Sequence, residues 1–465
     1  MNMINVRRLT VMTFLGAGML SGISAQVSPL QVDTLKETKI PDQWDLQSCI
    51  DYAKEQNITI RKNRITAVST QIDVKTAKAA LFPSLSFSTG HQVVNRPYQE
   101  TSSRVSGSEI ISSNSKTSYN GNYGLNASWT LYNGNKRLKT IQQEKLNNQV
   151  AELDVATSEN NIQESIAQVY IQILYAAESV KVNESTLQVS IAQRDRGQEL
   201  LNAGSIAKSD FAQLEAQVST DRYQLVTAQA TLEDYKLQLK QLLELDGENE
   251  MNIYLPALSD ENVLAPLPTK RDVYISALSF RPEIEASKLN VEASELGINI
   301  AKSSYFPTIS LSAGIGTNHT SGSDFTFGEQ VKNGWNNSIG LSVSVPIFNN
   351  RQTKSAVQKA KLQYETSMLS LLDEQKALYK TIESLWLDAN SAQQRYAAAN
   401  EKLKSTQISY ELISEQFNLG MKNTIELLTE KNKLLQAQQE QLQAKYMAIL
   451  NMQLLKFYQG DQLAL

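Results

Sequence analysis

One long pattern is written twice along this chain. Residues 77–90 read AKAALFPSLSFSTG and residues 301–314 read AKSSYFPTISLSAG. Ala77, Lys78, Phe82, Pro83, Ser86, Ser88 and Gly90 thus recur as Ala301, Lys302, Phe306, Pro307, Ser310, Ser312 and Gly314, a shift of 224 residues. GLNASWTLYN (124–133) returns as GLSVSVPIFN (340–349), and LLNAGSIAKSDF (200–211) as QFNLGMKNTIEL (416–427), both shifted by 216. A repeat this long restricts the fold more than composition can, because the structural unit must be used twice. Each copy reads helix, strand, strand, long helix, glycine turn, helix.

Between Gly134 and Gly197, and again between Pro346 and Gly420, there is neither glycine nor proline. These two residues interrupt helices most strongly, so their absence permits helices of unusual length. Apolar residues recur there at spacings of three and four: Ile162, Ile166, Val169, Ile173, Ala177 and Val180 in the first copy, Ile382, Leu385, Trp386 and Ala389 in the second. A helix over about 136–199 would be roughly 95 Å long at ~1.5 Å per residue. No small core covers such a stripe, so the rods are expected to pack along one another as coiled coils do. Gly204 and Gly420 follow the rods and supply the left-handed conformation that ends a helix. Return helices are expected over about 208–245 and 423–458, giving one antiparallel hairpin per copy.

The strands carry the second signal. In 119–131, Tyr119, Tyr123, Leu125, Ala127, Trp129 and Leu131 alternate with Asn120, Asn122, Asn126, Ser128 and Thr130. In 335–347, Ile339, Leu341, Val343, Val345 and Ile347 alternate with Ser338, Gly340, Ser342 and Ser344. The partner segments, 84–94 and 308–316, alternate in the same way. Such patterning marks a strand with one apolar and one polar face. A soluble hairpin lying on a core would also show it, but the strand length suits a tilted bilayer crossing and the small, uncharged polar face suits a lumen. Tyr119, Trp129 and Trp335 lie near strand ends, where interfacial aromatics sit, although ordinary packing also places aromatics there. Four strands cannot close a barrel, and an open edge in lipid leaves backbone groups unpaired. Two chains would give eight strands and an interior filled by side chains, whereas three would give twelve and room for a pore. The strand count therefore predicts a homo-oligomer, and a trimer if it conducts.

The remaining punctuation sets boundaries. Residues 1–25 read as a signal peptide: Arg7 and Arg8, an apolar stretch from Leu9 to Leu20, then small residues and a cut after Ala25. Gln26 would follow the cut, and since it is not cysteine no lipid anchor is expected there. The first repeat spans 26–245, opening on an extended lead over 26–43; an irregular connector with Pro256, Pro266 and Pro268 covers 246–271, and the second repeat covers 272–465. Pro83 and Pro307 stand where helix hands over to strand. The polar stretches 95–117 and 317–334 are expected as loops at the strand ends remote from the helices. Cys49, the only cysteine, excludes an intrachain disulfide and reads as a small buried residue. Net charge is −4, and −6 once Arg7 and Arg8 are removed, which argues against a nucleic-acid partner. No apolar window long enough for a transmembrane helix occurs after residue 25.

These features together resemble the TolC-like outer membrane efflux protein family: the leader, the two copies, FPSLSFS and FPTISLS, GLNASWTLYNG and GLSVSVPIFN, the NAGS and NLGM turns, and Phe280-Arg281-Pro282-Glu283 opening the second copy. The resemblance covers essentially the whole mature chain. It implies a mainly α fold with a membrane β-barrel. Three chains would supply four strands each to a 12-stranded barrel in the outer membrane, and their long hairpins would form an α-barrel across the periplasm. It implies a passive duct for drugs, other small molecules or secreted proteins, served by a periplasmic adaptor and an inner-membrane efflux pump or ABC exporter. It also implies a gate at the glycine turns. Ser209 and Asp210 match positions that link to a basic residue matched by Lys422. Phe417 matches a constricting aromatic and Glu426 the first of two acidic rings. The second ring falls on Thr429, with Glu430 adjacent. Lys at 422 cannot make the bidentate contact of the Arg found in relatives.

Nothing points to catalysis. His91 and His319, the only histidines, lie near strand ends without evident convergent partners, and no GxSxG, HExxH or P-loop pattern is present. No cofactor or metal is implied. Paired acids such as Asp373 and Glu374 read as a solvated helix face. The competing class is a non-conducting, periplasm-spanning coiled-coil scaffold or trimeric surface protein, which would have no need of four membrane-length amphipathic strands.

Overall fold

The computed structural model describes residues 41–98, 102–106, 109–113, 116–246, 251–256, 263–321, 323 and 325–463, within one compact unit from Pro41 to Leu465. The expected signal peptide and most of the lead at 26–43 lie outside the described residues.

Two rods of equal length dominate. Helix α3 runs Lys136–Asn202 and α8 runs Gln352–Asn418, 67 residues each, or about 100 Å at ~1.5 Å per residue. Both start at equivalent points of the repeat on two successive left-handed residues. These are Gly134 and Asn135 (φ 68° and 63°) in the first copy, Asn350 and Arg351 (φ 49° and 65°) in the second. Each rod turns back into a shorter helix, α4 (Lys208–Leu242) or α9 (Thr424–Gln459).

The upper half of each rod is flanked by helices from the start of each copy. These are α1 (Leu46–Gln56) and α2 (Ile58–Ala79), then α5 (Lys270–Phe280) and α6 (Pro282–Lys302). The end of α4 abuts the start of α2: Asn57 donates from Nδ2 to Leu242 O (3.0 Å) while its Oδ1 caps α2 at Thr59 N (2.9 Å). The end of α9 abuts the start of α6, where the Arg281 guanidinium lies 4.1 Å from the Tyr458 ring centroid. Asn57 and Arg281 are equivalent across the 224-residue repeat, and both are buried polar residues at these joints. Each chain thus supplies four helical lines: the two rods, α2 in line with α4, and α6 in line with α9.

The continuous core sits half-way along the rods. Ile166, Tyr170, Ile173 and Leu174 of α3 meet Ile382, Ala389 and Tyr396 of α8, Leu450, Leu454 and Leu455 of α9, and Cys49 and Ile50 of α1. Burial pushes the Cys49 thiol up to about 12. The connector is pinned to this middle zone. Trp44 pairs with the 252–254 backbone, Trp386 donates to Pro268 O (2.9 Å), and Gln393 donates to Val263 O and Ala265 O (2.9 and 2.8 Å).

The strands β1 (Ser84–Asn95), β4 (Thr117–Asn133), β5 (Thr308–Thr320) and β6 (Asn336–Ser344) form one antiparallel sheet in the order β1-β4-β5-β6. The two copies join between β4 and β5. Pro83 and Pro307 immediately precede β1 and β5. The expected loop at 95–117 contains a small hairpin, β2 (Ser102–Ser106) paired with β3 (Glu109–Ser113). The expected loop at 317–334 is instead the end of β5 plus a short helix, α7 (Phe327–Asn333), whose capping box couples Thr326 and Glu329. Residues 345–347, expected to continue the last strand, lie outside β6, which ends before Pro346.

Candidate functional site

The sheet separates its two faces by chemistry. One face carries the rows Ser84–Ser128–Ser312–Gly340, Ser86–Asn126–Gly314–Ser338 and Ser88–Gly124–Gly316–Asn336. Every side chain on these rows is small, and none is charged. The opposite face carries Leu85–Ala127–Ala313–Ile339, and Trp129–Leu311–Leu341 beside it. Leu85, Phe87, Ile339 and Leu341 are each more than 60 % exposed in the chain, which is costly in water and suited to lipid. A bulge between Thr130 and Tyr132 frees Leu131 from the ladder, so Tyr132, not Leu131, is the residue opposite Ile309. Trp129 and Tyr119 are ten residues apart on β4, about 33 Å of strand at ~3.3 Å each and about 25 Å of height at a ~40° tilt. That equals the apolar band of an outer-membrane barrel. Among the described residues, both β1 and β6 are sheet edges without a partner strand.

At the other end, both helix tips close identically. Gly204 (φ 71°) and Gly420 (φ 73°) are left-handed, with Ser205 N donating to Leu200 O and Met421 N to Gln416 O, both 2.8 Å. This is the six-to-one Schellman closure, and it requires a residue free to adopt positive φ. Asp210 accepts from the Ala207 backbone N–H (3.3 Å), capping its own helix, and Ser209 is exposed. In the other hairpin Asn423 and Glu426 form a capping box, and Lys422 Nζ donates to Glu426 Oε1 at 2.6 Å. The Lys422 hydrogen bond, with the Asn423 N–H, holds the Glu426 carboxyl below its usual range. No hydrogen bond or ion pair joins Asp210 to Lys422 within the chain. Phe417, expected to constrict the lumen, is packed inside the hairpin end at 4 % exposure. Thr429 is exposed, and Glu430 accepts from Ser409 (3.0 Å) and Lys433 (2.7 Å).

The strongest polar link between the hairpins was not anticipated from the sequence. Lys431 of α9 donates to Asp221 of α4 and Ser190 of α3, and Ser190 also donates to Asp221. All three are 2–3 % exposed. Gln217 donates to the free Asp221 oxygen (2.8 Å) and reaches Asn432 (3.3 Å). Nearby, Gln193 of α3 donates to Tyr410 Oη of α8 (2.8 Å). Burial lowers the Lys431 ammonium from its usual value, while the Asp221 contact opposes that shift. A legible signal existed: Asp221 continues the Leu214–Val218 stripe of α4, and Lys431 follows Leu427 by four on α9, so both charges occupy apolar positions.

The chain matches the family model described as "Outer membrane efflux protein" over residues 49–244 and 273–460. The chain belongs to the outer membrane efflux protein family. It is 24 % identical over 290 residues to the outer membrane efflux protein BepC of Brucella suis biovar 1, covering 62 % of this chain and 60 % of that protein. It is 23 % identical over 311 residues to the outer membrane protein TolC of Escherichia coli, covering 65 % and 62 %. The matched region is thus about three-fifths of the length of either relative. A crystal structure of CusC superposes with a TM-score of 0.75 at 18 % identity, covering 90 % of this chain and 92 % of that one. Membership of this family makes the chain an outer membrane protein.

Proposed function

We propose that three copies of this chain assemble an outer-membrane exit duct, a passive conduit that carries small molecules such as drugs, or proteins, from the periplasmic side to the exterior. The observation that carries this reading is the uncharged polar face that continues across all four strands while both edges, β1 and β6, are unpaired among the described residues. Unpaired edges are not tolerated in lipid, so β6 of one chain is matched with β1 of the next until twelve strands close. The polar rows then line a pore and the exposed Leu85, Phe87, Ile339 and Leu341 meet lipid. Along the periplasmic part, the four helical lines per chain give twelve around one channel. With no chemistry of its own to drive transport, the duct depends on an inner-membrane efflux pump or ABC exporter and on a periplasmic adaptor docking at the tips.

The gate falls at the tips. Asp210 is not paired with Lys422 within the chain, so an Asp210–Lys422 contact across a chain boundary is the natural closure, with Ser209 beside it and Glu426 orienting the lysine. Phe417, being buried, supports the turn and does not enter the lumen in this arrangement. Single-channel recording of the purified full chain in a planar bilayer tests both levels. The duct predicts a measurable conductance, increased in Asp210→Ala and in Lys422→Ala. An inserted trimer that stays silent even with both substitutions would sink the duct, whereas conductance unchanged by either substitution would remove only the gate.

A further inference from the structure

The chain's two histidines, 228 positions apart in sequence, are brought to the same spot. In the sheet register His91 of β1 pairs with Gly121 of β4, and Gly121 pairs with His319 of β5. All three therefore share the sheet face that also carries Leu85 and Phe87, near the strand ends remote from the helices and at the Tyr119 limit of the apolar band. Both imidazoles lean over the glycine. A Cβ built on Gly121 would lie 2.7 Å from His319 Nδ1 and 3.3 Å from His91 Nδ1. The sum of these distances, 6.0 Å, is the most that can separate the two nitrogens. Only a residue without a side chain leaves this gap, and Gly121 itself is buried beneath the rings.

The surroundings orient His91 and leave a nitrogen of His319 without a partner. The Tyr119 hydroxyl lies 2.6 Å from His91 Nδ1, and Thr89 Oγ1 lies 3.1 Å from His91 Nε2. With Thr89 accepting from Nε2–H, the Nδ1 lone pair faces the gap and receives the Tyr119 O–H. His319 Nδ1 is buried with no hydrogen-bond partner at all, and its ring is held edge-on by Phe327 and Tyr119, with centroids 5.0 and 5.1 Å away. An orphaned imidazole nitrogen aimed at a second imidazole is an unusual thing to leave unfilled, since burying an unsatisfied polar group is costly.

We propose that His91 and His319, with Tyr119 as third donor, bind a borderline divalent cation of the Zn²⁺, Cu²⁺ or Ni²⁺ class at the outer rim of the sheet. Imidazole suits these ions, and metal–nitrogen bonds of about 2.0–2.1 Å need the two Nδ1 atoms roughly 3–4 Å apart. Where the two nitrogens stand farther apart than that, rotation of one or both rings closes the gap on binding. Both imidazoles bind neutral, through Nδ1. The phenol turns its proton away from His91 and presents an oxygen lone pair, so no bond is broken and no proton is lost. The bound ion ties β1 to β5 across β4, once per chain, and Thr89 orients the first ligand from behind.

Titration of the detergent-solubilised full-length protein with Zn²⁺ against a chelating dye tests the site. One ion per chain is expected for the unaltered protein. His91→Gln and His319→Gln should each weaken binding roughly tenfold or more, the loss typical even of supporting groups around a metal. Gly121→Ala keeps both histidines but fills the gap, and should also abolish binding. Glu329→Gln, a nearby carboxylate outside the gap, should leave binding unchanged. No stoichiometric Zn²⁺ uptake by the unaltered protein, or uptake that survives the double His91→Gln, His319→Gln change, overturns the proposal. Should Gly121→Ala fail to fold, the histidine variants still decide.

Discussion

Replacing Lys431 by Met tests whether the two helical hairpins of a chain are held by the Ser190–Asp221–Lys431 clasp. Methionine fits the same channel but leaves Asp221, 2 % exposed, without its cation. Removing one member of a buried ion pair typically costs about 3–5 kcal/mol, because the remaining charge stays buried and uncompensated. Unfolding entropy of ~2.1 cal/mol/K per residue over roughly 425 residues is about 0.9 kcal/mol/K, so the loss converts to about 3–6 °C in Tm. The combined change Asp221→Leu with Lys431→Met removes both charges and should return to within about 1–2 kcal/mol of the unaltered protein or exceed it. Far-UV circular dichroism of the detergent-solubilised protein, scanned at one fixed rate, reads both effects. A single substitution that shifts Tm by less than about 1 °C, or a double variant as unstable as the single, would refute the reasoning.

Other expectations follow from local geometry. Gly204→Ala and Gly420→Ala should each cost only about 1–2 kcal/mol, since a Cβ there meets open space and only the positive φ is penalised. Gly134→Ala should cost more in the same melts, because its Cβ would also lie 2.6 Å from Ser303 O. Arg351→Gly should stabilise by up to about 1 kcal/mol: Arg351 is exposed, holds φ 65°, and glycine removes the strain without losing packing. The Glu426 carboxyl is held below its ordinary 4.5, so its contribution to the tip is present above that pH and lost as pH falls through the lowered value. Hydrogen-exchange protection at the Leu427 and Leu428 amides, measured relative to the intrinsic exchange rate at each pH, should fall as pH drops through the lowered Glu426 value in the unaltered protein, and that fall should be absent in Glu426→Gln.

Much of the architecture was legible because it rests on local rules. Positions 135–196 and 347–419 lack glycine and proline, which permitted two long helices, and a single positive-φ glycine after each marked the turn. Alternation in 84–94 and 119–131 marked strands, since side-chain direction in a strand reverses at every residue. Reading was poorer where the deciding partner is distant. The polar run 317–334 is expected as a loop, yet β5 continues through it to Thr320 because residues 120–123 of β4 offer residues 317–320 a ladder. Phe417, matched through the family resemblance to a constricting aromatic, is buried inside the hairpin end within the chain.

The sequence by itself determined the repeat, the rods, the turns and the two chemically distinct strand faces. Each of these follows from periodicity and from the backbone preferences of Gly and Pro. Only the tertiary structure decided which polar residues meet. Asp221 and Lys431 are 210 residues apart and His91 and His319 are 228 apart, and no local rule connects them. Their encounter depends on how rods about 100 Å long settle side by side and on the register between β1, β4 and β5. Buried charges and converging imidazoles are products of that long-range alignment, where one residue of slip would send each side chain to the opposite face.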